Sequence, residues 1–201
     1  QRVLFLGAGS AGVGIADMIV SAMALEGLEE GEARKRVSLV DSRGLVVAGQ
    51  TRMHDFQRPY AHPHAPLSGL LEIVEDLKPT ILIGVSTPAK AFTRPVIEAM
   101  ARLNERPVVF ALSNPTSKAE CTAEEAYTWS EGRAIFAAGV PFEPVQWGGK
   151  TFVPGQGNNM YVFPALGLAI IATQAKRVTD EMFIAAARAV AAQVAPEELA
   201  T

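Results

Sequence analysis

VLFLGAGSAG, residues 3–12, is the stretch that decides the fold of this chain. Its first four residues form a continuous apolar run, as in a strand that is buried on both faces. Gly7, Gly9 and Gly12 then match G-x-G-x-x-G, directly after that strand and at the start of a helical pattern. In this context Gly7 allows a tight turn, Gly9 lets the backbone approach a pyrophosphate, and Gly12 lets helix and strand pack closely. The stretch therefore predicts a strand, a phosphate-binding loop and a helix in succession.

The helix that follows this loop presents backbone N–H groups at Ser10 and Ala11. Such groups, aided by the helix dipole, bind phosphate groups at helix starts. A glycine-rich turn without any ligand is the alternative interpretation of the motif. The strand before it, the helix after it and an acidic residue further along the chain favour dinucleotide binding.

Asp41 ends the second predicted strand, where an acidic residue usually accepts a hydrogen bond from the adenosine ribose. It lies 29 positions beyond Gly12, more than the usual spacing of about 20, and a charged helical stretch at 29–36 accounts for the excess. Asp41 favours NAD, whose 2′-hydroxyl is free, whereas Ser42 and Arg43 could hold the 2′-phosphate of NADP. Both coenzymes remain open, and the pattern favours NAD.

Further along the chain, apolar runs typical of strands alternate with helical patterns. Strands are predicted at 3–6, 37–40, 80–83, 108–111 and 134–137, and helices at 11–28, 29–36 and 68–77, from Arg94, from Thr122, and near 164–176 and 180–195. Residues 48–66 are polar and proline-rich, which indicates an irregular loop. The alternation predicts one domain of residues 1–201 in the α/β class, a doubly wound Rossmann-type sheet, mostly parallel, with helices on both faces.

Composition excludes several classes of protein. The formal net charge is −3 and there is no run of basic residues, so neither nucleic acid nor an anionic membrane is an expected partner. Cys121 is the only cysteine, which excludes an internal disulfide and fits a reducing compartment, the cytoplasm or an organelle matrix. The longest apolar stretch, 162–173, is shorter than the roughly 20 residues that span a bilayer.

Because the chain starts within a strand pattern, we expect Gln1 to be a cut point in a longer protein.

Two segments go beyond a generic nucleotide-binding fold. They are FALSNPTSKAECTAE at 110–124 and PGQGNNMYVFP at 154–164. Both resemble signatures of the malic enzymes, and VDSRGL at 40–45, NERP at 104–107 and PFEPV at 141–145 match the same family in the same order. The resemblance covers nearly the whole chain.

This resemblance implies oxidative decarboxylation of malate to pyruvate and CO2, with hydride transfer to the nicotinamide of NAD or NADP. In the family, asparagines that correspond to Asn114 and Asn159 meet the substrate and the nicotinamide, and Asn158 is a neighbour in the same loop. Val85 and Ser86 are expected along a ribose of the coenzyme. Independently, Asn114 follows the end of a strand, where open α/β sheets bind ligands. By residue type alone, a turn role is favoured over ligand contact for the three asparagines.

The resemblance places the catalytic tyrosine and lysine, and the acidic ligands of Mg2+ or Mn2+, before Gln1, and further helices after Thr201. No catalytic or metal-binding residue is therefore assigned within the chain. We expect the isolated chain to bind coenzyme without oxidising malate, and the complete enzyme to be a homo-oligomer, a dimer or a tetramer. Oxidation of malate by the purified chain with Mn2+, at ordinary malic-enzyme rates, would contradict this expectation.

The loop at 48–66 contains all three histidines, His54, His62 and His64. They follow no recognised metal-ligand spacing, so a solvated loop near the adenosine is the preferred interpretation. In NADP-dependent malic enzymes a lysine of this loop helps to hold the 2′-phosphate. Gln57 takes that place here, which favours NAD, although Arg58 beside it favours NADP.

Two other functions fit the nucleotide fold alone: the coenzyme domain of an amino-acid dehydrogenase, and a stand-alone nucleotide sensor without catalysis. The motifs around Asn114 and Asn159 argue against the dehydrogenase. They also argue against the sensor, because a sensor has no use for asparagines that contact a substrate.

Overall fold

The computed structural model describes residues 1–86 and 88–195. In this part of the chain the strands are β1 (Val3–Leu6), β2 (Val37–Asp41), β3 (Gly44–Leu45), β4 (Ile81–Gly84), β5 (Val108–Ala111), β6 (Ile135–Ala138), β7 (Val145–Trp147), β8 (Lys150–Phe152) and β9 (Gly155–Gln156). The helices are α1 (Ser10–Leu25), α2 (Glu30–Arg34), α3 (Leu70–Leu77), α4 (Arg94–Leu103), α5 (Ala123–Trp129), α6 (Phe163–Thr173) and α7 (Asp180–Ala191). The chain divides into two compact units, of which the first ends at Gly157 and the second begins at Asn158.

Seven strands of the first unit form one sheet in the order β3-β2-β1-β4-β5-β6-β9. All neighbours are parallel except β3, which pairs antiparallel with β2. Strand β1 lies between β2 and β4, and Val3 is in register with both Val37 and Ile81. The strand order thus reverses between β1 and β4, as in doubly wound sheets, and the predicted fold class is confirmed.

The two faces of the sheet are covered by different helices. Leu4 belongs to an apolar cluster that includes residues of α3, α4 and α5, whereas its neighbour Phe5 belongs to a second cluster with residues of α1 and α2. Consecutive residues of a strand point to opposite faces, so helices cover both faces. Leu4 and Phe5 are fully buried, and each such side chain contributes roughly 1.5–3 kcal/mol to folding.

Local sequence signals set several helix ends. The Thr122 hydroxyl accepts a hydrogen bond from the Glu125 N–H, and the Glu125 carboxylate accepts one from the Thr122 N–H. This capping box starts α5 at the predicted place. Helix α4 begins at Arg94, also as predicted, with proline in its first turn. Helix α1 is shorter than predicted and ends at Leu25, because the chain turns at Gly27 with a φ of 93°.

The structure adds elements that the sequence pattern does not predict. Strands β3 and β9 have two residues each, too few for a periodic pattern. Strands β7 and β8 form a separate hairpin around Gly148-Gly149, and a Gly-Gly pair between short strands is a known hairpin signal. The loop at 48–66 is not irregular throughout, because Asp55–Tyr60 forms a 3₁₀ helix.

The second unit contains α6 and α7. Leu166 and Ile184 are its buried apolar side chains among the residues described, and the rings of Phe163 and Phe183 meet edge to face. Ile171 is exposed. No helix in the described ranges has the length and apolar character needed to cross a membrane.

Candidate functional site

The predicted site residues of the first unit lie along the carboxyl edge of the sheet. Hydrogen bonds continue the parallel ladder past the strand ends: Gly7 N–H donates to the Val40 carbonyl and Val85 N–H donates to the Leu6 carbonyl, both at 2.9 Å. Asp41 is the last residue of β2. This edge, at the point where strand order reverses, is where open α/β sheets bind ligands.

At two of its three glycines, the loop after β1 has no room for a side chain. Gly7 has a φ of 126°, and a Cβ there would lie 2.6 Å from the Val85 carbonyl oxygen. A Cβ on Gly12 would overlap the Gly7 carbonyl oxygen. A Cβ on Gly9, in contrast, would meet nothing within 4 Å. Gly7 and Gly12 are therefore required by packing, while the backbone at Gly9 is open to an incoming group.

Helix α1 begins above this loop with its first turn exposed. Gly9, Ser10 and Ala11 are all exposed, and no side chain caps the helix start. The first turn also contains no acidic residue. Since the first N–H groups of a helix have no partner within the helix, this end offers donors and a positive dipole to an anion.

At the end of β2, Asp41 is already engaged by Arg43. The Arg43 N–H donates to Asp41 Oδ1 at 2.8 Å, and the guanidinium donates to Oδ2 through Nη2 at 2.5 Å and Nε at 3.2 Å. The Asp41 side chain is 14% exposed and that of Arg43 is 45% exposed. A guanidinium has five N–H donors, so Arg43 keeps donors that can face a ligand. Ser42, between them, is exposed.

The 3₁₀ helix Asp55–Tyr60 holds the glycine loop from the side. The amide of Gln57, which is buried, donates to the Ala8 carbonyl at 2.7 Å. The hydroxyl of Tyr60 donates to Asp17 of α1 at 2.6 Å, and burial followed by this contact raises the pKa of Tyr60. The Gln57 side chain therefore stabilises the glycine loop. It does not face solvent, although by residue type it favours NAD.

Beyond β4 and β5 the chain forms two adjacent turns. Leu112 N–H donates to the Gly84 carbonyl at 2.9 Å, which holds the turns together. The Ser86 hydroxyl oxygen is buried and has no hydrogen-bond partner within residues 1–86 and 88–195. Asn114 is exposed at the same edge, and its peptide bond to Pro115 is cis.

Two residues of this region were not predicted from sequence. Gly139, directly after β6, leaves space for Asn114, since a Cβ there would lie 2.9 Å from Asn114 Oδ1. Glu120 is fully buried, and its carboxyl group lies beneath the turns that carry Ser86 and Ser113. Neither residue belongs to a motif of known chemistry, although Glu120 falls within the segment 110–124.

Asn158 and Asn159 belong to the second unit. The Asn158 side chain accepts a hydrogen bond from the Met160 N–H at 2.9 Å and so caps the 3₁₀ turn Asn159–Tyr161. This is the turn role that residue type alone allows. Asn159 is exposed.

Each of the three histidines has a different partner. His54 stacks on Phe56, and His62 Nε2 lies 2.8 Å from the Val37 carbonyl oxygen. His64 pairs with Asp76 of α3 at 2.9 Å. Within the described residues no three histidine, cysteine or acidic side chains come together in a way that could hold a metal ion. Cys121 is buried, as expected for a packing residue, and burial raises the pKa of its thiol.

The His64–Asp76 pair should stabilise the fold at low pH and lose this effect as pH rises. The Ala65 carbonyl, as the largest cause, and the Asp76 carboxylate raise the pKa of His64 above 6.5, although slight burial opposes them. The folded chain therefore holds the proton more tightly, so the contribution is full below the unfolded pKa and disappears as pH passes the folded value.

Urea unfolding of the unchanged chain and of a His64→Gln variant, at about pH 5.5 and about pH 8.5, measures this contribution. The difference in free energy of unfolding should be larger at the lower pH. His54→Gln serves as the control, because the His54 ring stacks on Phe56 and forms no ion pair within the described residues. A difference that is constant or grows with pH would contradict the assignment.

Comparison with known proteins supports a single family. Residues 1–201 match the family model described as the malic enzyme, NAD binding domain. The chain is 57% identical over 198 residues to an NADP-dependent malic enzyme of Phaseolus vulgaris, covering 96% of the chain and 33% of that protein. It is 54% identical over 201 residues to the enzyme of the same name from Vitis vinifera, covering 98% and 34%. A chloroplastic NADP-dependent malic enzyme of Zea mays is 53% identical, covering 96% and 31%. The chain thus spans about a third of the length of these relatives.

Proposed function

Since this chain belongs to the malic enzyme family, as its NAD-binding domain, we propose that residues 1–201 bind the coenzyme of an enzyme that oxidatively decarboxylates malate to pyruvate. The observation that carries this proposal is the glycine cradle at Gly7 and Gly12 beneath the exposed start of α1. A cradle of this shape, with free N–H groups at a helix start, suits a diphosphate. The family match also removes the amino-acid dehydrogenase alternative.

Each part of the coenzyme has candidate partners. The residues proposed to contact it are Gly7, Gly9, Ser10, Ala11 and Gly12 for the diphosphate, Asp41, Ser42 and Arg43 for the adenosine ribose, Val85 and Ser86 for a ribose, and Asn114, Asn158 and Asn159 for the nicotinamide and the substrate. Once bound, the nicotinamide ring supplies the hydride acceptor for C2 of malate. An asparagine amide offers a donor and an acceptor without charge, so Asn114 can orient a carboxamide or a carboxylate at modest desolvation cost.

The described residues alone do not fit a divalent metal, since they contain no cluster of three suitable ligands. We therefore derive no step through Mg2+ or Mn2+, and we propose that its ligands and the groups that move protons lie outside this chain. On this proposal the chain binds coenzyme and leaves malate unchanged. The complete enzyme is proposed to act on malate as a homo-oligomer, without nucleic acid or membrane partners, in the cytoplasm or an organelle matrix.

We propose that the chain binds NADP at least as tightly as NAD. Asp41 favours NAD by residue type, but both its oxygens already accept hydrogen bonds from Arg43. The exposed guanidinium retains donors, and an arginine binds phosphate oxygens through charge-assisted hydrogen bonds. The relatives reported above are named NADP-dependent, which also supports NADP.

Calorimetric titration of the chain with NAD and with NADP tests both proposals. An Arg43→Ala variant should bind NADP at least about tenfold more weakly, since a hydrogen bond to a charged group contributes roughly 1.5–3 kcal/mol, whereas its affinity for NAD should hardly change. Arg102→Ala is the matched control, because Arg102 lies in the last turn of α4 and pairs with Glu75 of α3. If NAD binds much more tightly than NADP, the coenzyme choice is wrong and Asp41 dominates. If neither binds at millimolar concentration, the function itself is wrong.

A further inference from the structure

We propose that Glu120 is a positioning residue, which holds the turns after β4 and β5 in the arrangement that receives the nicotinamide half of the coenzyme. The inference rests on the proposed function, because it concerns the same carboxyl edge. Glu120 has no expected contact with coenzyme or substrate. It acts through Ser86 and Ser113, and Ser113 directly precedes Asn114.

The carboxyl group of Glu120 joins the two turns by three hydrogen bonds. Its Oε1 accepts from the Ser113 hydroxyl at 2.5 Å and from the Ser86 N–H at 3.3 Å, and its Oε2 accepts from the Ser113 N–H at 3.4 Å. The Ser113 hydroxyl also lies 2.7 Å from the Ser86 carbonyl oxygen. One side chain thus connects backbone atoms that lie 27 residues apart in sequence.

The fold is shaped around this carboxyl group. Glu120 is fully buried, and a buried carboxyl is rarely kept unless its oxygens are used. Gly84 provides its space, because a Cβ on Gly84 would overlap the Glu120 side chain and lie 2.7 Å from Oε1. Within the described ranges no arginine, lysine or histidine forms an ion pair with Glu120. Its partners are the two turns, so their geometry is what it stabilises.

A glutamine has nearly the same shape but cannot replace these contacts. Backbone N–H donors face both carboxyl oxygens of Glu120. In glutamine an NH2 group replaces one of these oxygens, whichever way the amide is oriented. Either the Ser86 N–H or the Ser113 N–H then faces another donor. The turns must shift to relieve this, and Ser86 and Asn114 shift with them.

Calorimetric titrations of the 201-residue chain with NAD and with ADP test the inference. NAD differs from ADP by its nicotinamide ribosyl half, whereas the proposed partners of ADP are the glycine loop and Asp41. The Glu120→Gln variant should bind NAD about tenfold more weakly, with ADP affinity changed by less than about twofold. A purely structural role would lower both affinities together.

Two further variants complete the test. Glu124→Gln is the control, since it makes the same change at an exposed residue of α5 and should alter neither affinity. Ser113→Ala removes only the hydroxyl donor and should reproduce a smaller selective loss for NAD, so a folding defect in Glu120→Gln does not decide the result. Equal losses for NAD and ADP, or no loss in both variants, would overturn the positioning role. If the unchanged chain binds neither ligand, the coenzyme proposal fails and this inference fails with it.

Discussion

Replacing Gly12 with alanine should weaken the binding of NAD and NADP by at least roughly a hundredfold, or about 2.8 kcal/mol. The added methyl group would overlap the Gly7 carbonyl oxygen. That oxygen belongs to backbone that is itself held, because the Gly7 N–H donates to Val40. The start of α1 must therefore move away from the loop. The N–H groups at Ser10 and Ala11 then no longer point toward the diphosphate.

The matched control for this change is Gly14→Ala, two residues further along α1. A Cβ at Gly14 meets nothing within 4 Å, and alanine is favoured over glycine inside a helix by roughly 0.5–1 kcal/mol. Calorimetric titration should show unchanged affinity for this variant, and thermal unfolding should show equal or higher stability. Tight NAD or NADP binding by Gly12→Ala would show that the glycine loop does not shape the coenzyme site.

A Gly139→Ala variant should lower the free energy of unfolding by about 1–3 kcal/mol, the usual cost of overfilling a packed position. Its Cβ would overlap the Leu112 carbonyl oxygen and lie 2.9 Å from Asn114 Oδ1. Leu112 has little freedom to move, because its N–H donates to the Gly84 carbonyl. The Asn114 side chain has more, since it is exposed, so it should swing away from the space it now occupies.

Urea unfolding measures the first effect of Gly139→Ala, and titration with NAD and ADP measures the second. NAD affinity should fall and ADP affinity should stay, because Asn114 is assigned to the nicotinamide end. Gly167→Ala in α6 is the control, since a Cβ there meets nothing within 4 Å. Unchanged stability together with unchanged NAD affinity would remove Gly139 from the site.

Local signals made much of this fold predictable from sequence. The apolar runs at 3–6 and 108–111 are strands with the predicted bounds, because a strand buried on both faces needs a continuous apolar stretch. The capping box at Thr122 likewise starts α5 where its spacing indicates. The glycine loop was recognisable for the same reason, since its geometry depends on three residues close together in sequence.

The remaining features depend on partners that are distant in sequence. The role proposed for Glu120 depends on its contact with Ser86, 34 residues before it. The role of Gly139 depends on the nearby side chain of Asn114. Gln57 is buried because it meets Ala8, 49 residues away. Periodicity and spacing carry no information about such pairs. For the same reason, residue type could not show that the Asp41 carboxylate is already engaged by the Arg43 guanidinium.

The central place of β1 also has a consequence for synthesis on the ribosome. Val3 pairs on one side with Val37, but its partner on the other side, Ile81, follows 78 residues later. At about 5–20 residues per second this second partner emerges roughly 4–16 s after β1. Meanwhile one edge of a wholly apolar strand has unpaired backbone groups, which is the kind of surface that pairs with other chains. Until β4 is made, this edge is therefore a place where the nascent protein can pair with other chains.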